Sequence, residues 1–157
     1  MRRVTVGVAF AACLIAACSG GSSTLELTSA SVDQSYQCPV GANNSPYDVH
    51  ATVDAHNGTS KSVTISSVTV DITLEAVNGP WLEKVGDKYQ ANNVTVAPAS
   101  VAPGANASLK VTIPSACTNG KATGGASYGD YRVTLHFATS TGNLSISSKG
   151  LHRLVAA

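Results

Sequence analysis

The stretch "VTISSVTVDITLE", residues 63–75, alternates apolar and polar side chains along most of its length. The apolar positions of its longer run are Val68, Val70, Ile72 and Leu74. Alternation with a period of two residues predicts a strand with one buried and one exposed face. Val63 and Ile65 have the opposite parity, and Ser66 and Ser67 separate the two sets. We therefore expect a β-bulge or a strand break at these serines, which restores the facing of the apolar side chains.

Four other segments show the same alternation. Their apolar sets are Val49, Ala51, Val53 and Ala55; Leu109, Val111 and Ile113; Val133, Leu135 and Phe137; and Leu144 and Ile146. Turn residues such as Asn57-Gly58, Pro103-Gly104 and Thr141-Gly142-Asn143 separate them. About seven short strands in about 120 residues predict an all-β fold, an antiparallel β-sandwich of one domain.

The segment "GDYRVTLHF", residues 129–137, places a tyrosine just inside a strand after a Gly-Asp turn. Tyr131 in this position resembles the tyrosine corner of immunoglobulin-like and fibronectin-like domains. Val133 stands where an immunoglobulin domain has its second cysteine, and Trp81 lies in a loop. The resemblance therefore implies an immunoglobulin-like sandwich architecture and names no specific family.

The first eighteen residues carry a targeting signal. Arg2 and Arg3 precede an apolar stretch, residues 4–17, that is too short to span a bilayer and is typical of a secretory signal peptide. Ile15-Ala16-Ala17-Cys18 resembles the lipobox of bacterial lipoproteins. The resemblance implies that residues 1–17 are removed and that Cys18 carries fatty acyl chains such as palmitate, which anchor the protein in the bacterial cell envelope, outside the cytoplasm. A freely secreted protein is the alternative.

We divide the chain into a signal peptide, residues 1–17, a lipid-anchored tether, residues 18–35, and a β-sandwich domain, residues 36–157. The tether begins with a Gly/Ser-rich segment of the kind that forms flexible linkers. Without Arg2 and Arg3, eight of the ten basic side chains remain beside nine acidic ones. The eight are scattered singly, so we expect no nucleic-acid partner, because such proteins cluster lysine and arginine.

Cys38 and Cys117 remain once Cys13 and Cys18 are assigned to the signal segment. In an oxidising compartment two remaining cysteines predict a disulfide bond. A metal site is the alternative, but two isolated thiolates lack the C-x₂₋₄-C spacing that zinc sites favour.

The motif "GASYG", residues 125–129, matches the G-x-S-x-G pattern of α/β-hydrolases, and Ser127 is followed by Asp130 and then by His136 or His152. The context argues against catalysis, since that motif needs a strand before the serine and a helix after it. Here Ser127 follows a glycine-rich loop and precedes a strand pattern. We predict no catalytic residue.

His50, Asp54 and His56 share one face of a predicted strand. The two histidines are about 20 Å apart on an extended chain, which is too far for joint metal binding. Asp54 and His56 need a third ligand from another strand, for which His136 is the candidate. A solvated polar face explains the pattern better, so we expect no metal site and no cofactor.

The segment "NGPWLEKVGDKYQANN", residues 78–93, is longer than a hairpin connection requires. It contains Trp81, Leu82 and Tyr89, and tryptophan and tyrosine are frequent at contact surfaces. One interpretation places Trp81 in the core at the end of the sandwich. The other makes the loop a binding surface for an envelope protein or a glycan. We therefore predict a non-catalytic, lipid-anchored binding or accessory protein; the alternative is an envelope enzyme with an unrecognised active site.

Overall fold

The computed structural model describes residues 24–119 and 127–156, in which all the regular structure is β-strand. The strands are β1 Leu25–Val32, β2 Ser35–Cys38, β3 Ser45–Asn57, β4 Val63–Asn78, β5 Lys88–Ala91, β6 Thr95–Ala97, β7 Ser100–Val101, β8 Asn106–Cys117, β9 Ser127–Thr139, β10 Gly142–Ser147 and β11 His152–Ala156. No helix in these two ranges is long and apolar enough to cross a membrane.

The strands form two main sheets. The smaller has the order β1-β3-β8-β6, and the larger has the order β2-β11-β9-β4-β5. Strands β10 and β11 pair with successive stretches of β9, and β7 pairs with the start of β4. All pairs are antiparallel except β2 with β11. The first part of the chain thus contributes β1 to one sheet and β2 to the other, an immunoglobulin-like arrangement.

This architecture confirms the predicted antiparallel β-sandwich. The eleven strand segments in the described residues exceed the expected number of about seven. Part of the difference comes from β2, β5, β6 and β7, which have at most four residues each and are too short for an alternation to be visible.

The alternating residues form the core as expected. Val68, Val70, Ile72 and Leu74 of β4 are buried, as are the apolar sets of β3, β8 and β9. Leu144 and Ile146 are partly buried against this core. The bulge predicted at the two serines is confirmed, since the pairing of β4 with β9 shifts register between Ile65 and Ser67.

The sandwich begins earlier than the predicted division of the chain places it. Residues 25–35 were assigned to the tether, but Leu25–Val32 is strand β1 of the smaller sheet. Leu25 and Ala30 belong to the buried core. This part of the assignment was wrong because β1 has few large apolar residues and buries small ones against β3.

The two ends of the sandwich differ in composition. We call one the apolar end; it is formed by Val63, Ile65, Val101 and Phe137 around the buried Asn57. The other we call the tyrosine end; it is formed by Tyr36, Tyr47, Tyr89 and Tyr131 with Trp81. The predicted disulfide between Cys38 and Cys117 is confirmed and lies at the tyrosine end, where β2 and β8 terminate.

Candidate functional site

The connection between β4 and β5, residues 79–87, is the candidate binding loop. Leu82 is 82% exposed and Val85 is 58% exposed. Both side chains are aliphatic and lie on the same short loop, which also carries Trp81 and Glu83. Exposing aliphatic side chains to water does not stabilise the fold, so their exposure marks this loop as a candidate binding surface.

Hydrogen bonds of the backbone, one of them to the Asp87 side chain, hold the second half of this loop. The Asp87 amide donates to the Lys84 carbonyl at 2.9 Å, and the Lys84 amide donates to the Asp87 carboxylate at 2.8 Å. The Gly86 amide donates to the Leu74 carbonyl at 2.8 Å, which ties this turn to β4. Gly86 has φ of +97°, a conformation that favours glycine. Val85 is therefore displayed on a turn with a defined backbone.

Trp81 holds the first half of the loop. Its indole N–H donates to the Tyr131 hydroxyl at 3.0 Å. Its ring lies directly against the backbone of Gly129, where an added Cβ would be 2.8 Å from the indole Nε1 and Cε2 atoms. The side chain is partly buried and contacts the core without being enclosed by it. Trp81 thus fastens the loop to β9, and Leu82 follows it into solvent.

Tyr131 connects Trp81 to Glu83. The Tyr131 side chain is only 5% exposed, and its hydroxyl donates to the Glu83 carboxylate while accepting the indole N–H. Burial, together with the hydrogen bond to Glu83, raises the pKa of Tyr131, so its hydroxyl stays protonated. Both partners of the hydroxyl lie on the β4–β5 loop, whereas a tyrosine corner bonds to the backbone just upstream.

Two further tyrosines, Tyr47 and Tyr89, lie at the tyrosine end on other strands. The Tyr89 hydroxyl is 3.0 Å from the Ser115 hydroxyl, and burial raises the pKa of Tyr89 to about 12, with the charges of Tyr47 and Glu83 adding to the shift. Burial also raises the pKa of Tyr47, to which the charge of Glu83 contributes. Of these three tyrosine hydroxyls, that of Tyr131 donates directly to the Glu83 carboxylate, whereas that of Tyr89 is paired with Ser115.

Of the residues predicted for the loop site, Trp81 is hydrogen-bonded to Tyr131, Tyr89 is paired with Ser115, and Leu82 is exposed. The sequence analysis missed Glu83, Tyr47 and Ser115. Tyr47 carried a usable signal, because it shares the inward parity of the apolar residues of β3. The sequence around Glu83 contains no such signal, because its partner Tyr131 lies on β9, distant in sequence.

The stacked pair of Tyr36 and Tyr47 completes the cluster. Their ring centroids are 4.1 Å apart and their planes differ by 7°. Tyr36 lies on β2 of the larger sheet and Tyr47 on β3 of the smaller one, so the stack joins the two sheets beside the disulfide.

The polar residues of β3 are used for surface contacts. The His50 imidazole is 2.9 Å from the Asp33 carboxylate, and the His56 Nδ1 is 2.9 Å from the Asn106 amide oxygen. Asp54 accepts a hydrogen bond from Ser29. His136, the candidate third ligand, lies on β9 of the other sheet, 3.2 Å from Asp71. No group of three or more His, Cys, Asp or Glu side chains within residues 24–119 and 127–156 could hold a metal ion.

The residues of the hydrolase-like motif have separate partners. Ser127 begins β9 and its hydroxyl lies 3.5 Å from the Ala156 carbonyl. Asp130 accepts two hydrogen bonds from Arg153. The buried His152 is 2.8 Å from the Asp33 carbonyl. The structure does not bring Ser127, Asp130 and a histidine together through hydrogen bonds.

The predicted lipidation residue, Cys18, lies outside the described residues. The Cys38–Cys117 disulfide bears on location, because such bonds persist in oxidising compartments. It indicates that the domain is extracytoplasmic.

Comparisons with known proteins give limited information. No protein-family model and no curated protein matches the sequence. Among solved structures, the chain is similar to AggA, the major subunit of aggregative adherence fimbriae type I from Escherichia coli (13% identity, TM-score 0.36, 85% of this chain and 95% of that one). It is also similar to the PapD-like domain 7 of human CEP192 (11% identity, TM-score 0.29, 98% of each chain).

A third likeness, to the Vibrio cholerae VesB protease, has 14% identity and a TM-score of 0.27 and covers 80% of this chain but 31% of that one. At TM-scores this low, the three likenesses establish nothing about the activity, ligand or partner of this protein.

Proposed function

We propose that this protein is a non-catalytic, lipid-anchored module of the bacterial cell envelope that binds another envelope protein through the loop formed by residues 79–87. The lipid anchor rests on the lipobox-like sequence that ends at Cys18. The disulfide supports an extracytoplasmic location. The binding role rests on the loop itself.

The observation that carries the proposal is the exposure of Leu82 and Val85 on a loop that is tied down on both sides of Leu82. Burying an aliphatic side chain of this size contributes about 1.5–3 kcal/mol. A loop that is already ordered loses little further conformational entropy when it binds. Exposed apolar side chains on an ordered loop are therefore well suited to binding an apolar surface.

The same geometry favours a protein over a glycan. Sugars are held by stacking on an open aromatic face and by hydrogen bonds to their hydroxyl groups. Part of the Trp81 ring lies against Gly129, and its N–H is already donated to Tyr131. Leu82 and Val85 offer no side-chain hydrogen bond, but they do offer the apolar contact that protein interfaces use.

Affinity capture from the native envelope tests the proposal, with the full lipidated protein as bait. The variant Leu82→Asp/Val85→Asp places charges on the loop and should reduce recovery of the partner at least tenfold, while its melting temperature stays near that of the wild type. Val40→Asp is the matched control, because Val40 is also exposed, at 66%, but lies in the β2–β3 connection. The proposal fails if the loop variant keeps its partner or if both variants lose it equally.

A further inference from the structure

The Glu83 carboxylate is held by a neutral hydrogen-bond donor. Tyr131 donates to it directly, and Trp81 in turn donates to Tyr131. No lysine, arginine or histidine of the described chain lies within ion-pair distance of Glu83. A neutral donor therefore holds this acidic side chain at the rim of the core.

The hydrogen-bond direction at Tyr131 determines what this position accepts. An indole N–H can only donate, so the Tyr131 oxygen must accept from Trp81. The single proton of the hydroxyl is then directed at Glu83. Because the indole polarises the hydroxyl, its hydrogen bond to an anion is strengthened. The position requires an acceptor and favours a charged one.

We propose that the tyrosine end contains a carboxylate-binding site, formed by the Tyr131 hydroxyl as Trp81 orients it, which Glu83 fills in the free protein and which an acidic side chain of the bound partner fills in the complex. The second half of this proposal rests on the binding role of the loop. The first half concerns this chain alone and is tested separately.

The position of Glu83 in the chain supports the replacement of its carboxylate by an acidic side chain of the partner. Glu83 directly follows the exposed Leu82, so a partner that covers Leu82 lies beside the residue that fills the site. The Glu83 side chain is only partly buried, and solvent reaches the site. As part of the same chain, Glu83 competes with a high effective concentration, so free carboxylates bind the wild-type protein poorly. Removing this side chain should leave the Tyr131 hydroxyl available to another acceptor.

Acetate is the appropriate probe, because it has the atoms that Glu83→Ala removes. Trp81 is the only tryptophan and donates to Tyr131, so its fluorescence reports on the site. We expect sodium acetate to change the emission of the Glu83→Ala protein saturably, at about millimolar concentration or above for so small a ligand. Sodium chloride at equal ionic strength should not. The wild type and Glu83→Gln, whose amide oxygen still accepts from Tyr131, should respond at least tenfold more weakly.

The donor is tested with Tyr131→Phe in the Glu83→Ala protein. Loss of a hydrogen bond to a charged group should weaken the acetate response by about tenfold or more. If vacating the site destabilises the fold, the melting temperature of Glu83→Ala, or of Glu83→Ser as a second variant, should rise with acetate and not with chloride, because a ligand stabilises the state that binds it.

The site is refuted if acetate acts no differently from chloride on the vacated protein, or if Tyr131→Phe leaves the response unchanged. Failure of the exchange is a separate result: acetate binds Glu83→Ala, but that variant captures the partner no better than the wild type does. A third result would refute the binding role of the loop: the Leu82→Asp/Val85→Asp variant would then capture as much partner as the wild type does.

Discussion

The two ends of this sandwich are held together by different interactions. At the apolar end, Val63, Val101 and Phe137 are almost completely buried, and the one large polar group among them, Asn57, is 0% exposed. At the tyrosine end, hydroxyls, an indole N–H and a carboxylate meet beside a disulfide, and Tyr89 remains 37% exposed.

The difference shows how one fold combines rigidity with an accessible surface. Apolar contacts are non-directional, so the apolar end gains most by excluding water completely. Directional hydrogen bonds and a covalent bond do not need complete burial. The tyrosine end therefore keeps its loop ordered while Leu82 and Val85 stay exposed.

The largest effect should come from the covalent bond of the tyrosine end. Cys38 and Cys117 are 79 residues apart, and closing a loop of that length stabilises a fold by about 4 kcal/mol in the chain-entropy model. Reduction, or Cys38→Ala/Cys117→Ala, should lower the free energy of unfolding by about that amount in urea titrations. Reductant should have no effect on the double variant. A loss below about 1 kcal/mol would show that noncovalent contacts alone hold the tyrosine end.

At the apolar end, Asn57 should have the next largest effect. Its side-chain amide donates to the carbonyls of Lys61, Val101 and Ala102, and its oxygen accepts from Thr59. Asn57→Ala removes the three hydrogen bonds to these carbonyls and the acceptor of Thr59, and it should cost about 3 kcal/mol in urea unfolding.

Asn106→Ala is the control for Asn57→Ala. It removes an exposed asparagine that bonds to His56, and it should cost less than about 1 kcal/mol. Equal effects of the two substitutions would mean that the apolar end does not depend on its buried amide.

Gly129→Ala tests how Trp81 fastens the loop. The new Cβ would lie 2.8 Å from the indole, so the ring must move, and overpacking of this kind costs about 2 kcal/mol. Trp81 emission should shift to the red and become easier to quench with acrylamide. In a Trp81→Ala background the same glycine substitution should cost little. If it costs as much there, the contact between the ring and Gly129 is not what fastens the loop.

The smallest effect at neutral pH concerns the tyrosine hydroxyls. The fold raises the pKa of Tyr89 to about 12, mainly by burial, and also raises the pKa of Tyr47 and Tyr131. An unfolded tyrosine ionises near its usual pKa of about 10, so the stabilisation is complete below that pH and is lost as pH rises through the folded values. Stability should therefore be flat at neutral pH and fall above pH about 10.

Two measurements check the alkaline prediction. Urea titrations across this range should show the loss, and Tyr89→Phe should make it smaller. Phenolate absorbance should show some tyrosines ionising late. If all the tyrosines ionise together near their usual pKa, the tyrosine end does not bury its hydroxyls as the structure shows.

The sequence predicted the sandwich well where burial follows a period of two. The serine pair in β4 predicted the register shift between Ile65 and Ser67, and the cysteine count predicted the disulfide. Strand β1 was assigned to the tether instead, because small side chains such as Ala30 give only a weak signal. The candidate loop was found through its length and through Trp81, Leu82 and Tyr89, and its exposed large apolar side chains are Leu82, which was predicted, and Val85, which was not.

By itself, then, the sequence determined the fold class, the alternating core and the disulfide pairing, because each depends on residue type at a fixed spacing or on a count. Only the tertiary structure decided how the tyrosine end is built. Trp81, Glu83 and Tyr131 come from the loop after β4 and from β9, and they meet because the pairing of β4 with β9 brings Asn78 opposite Tyr128. A hydrogen bond between side chains about fifty residues apart has no local signature. Its partners can be identified only when the register of the strands is known.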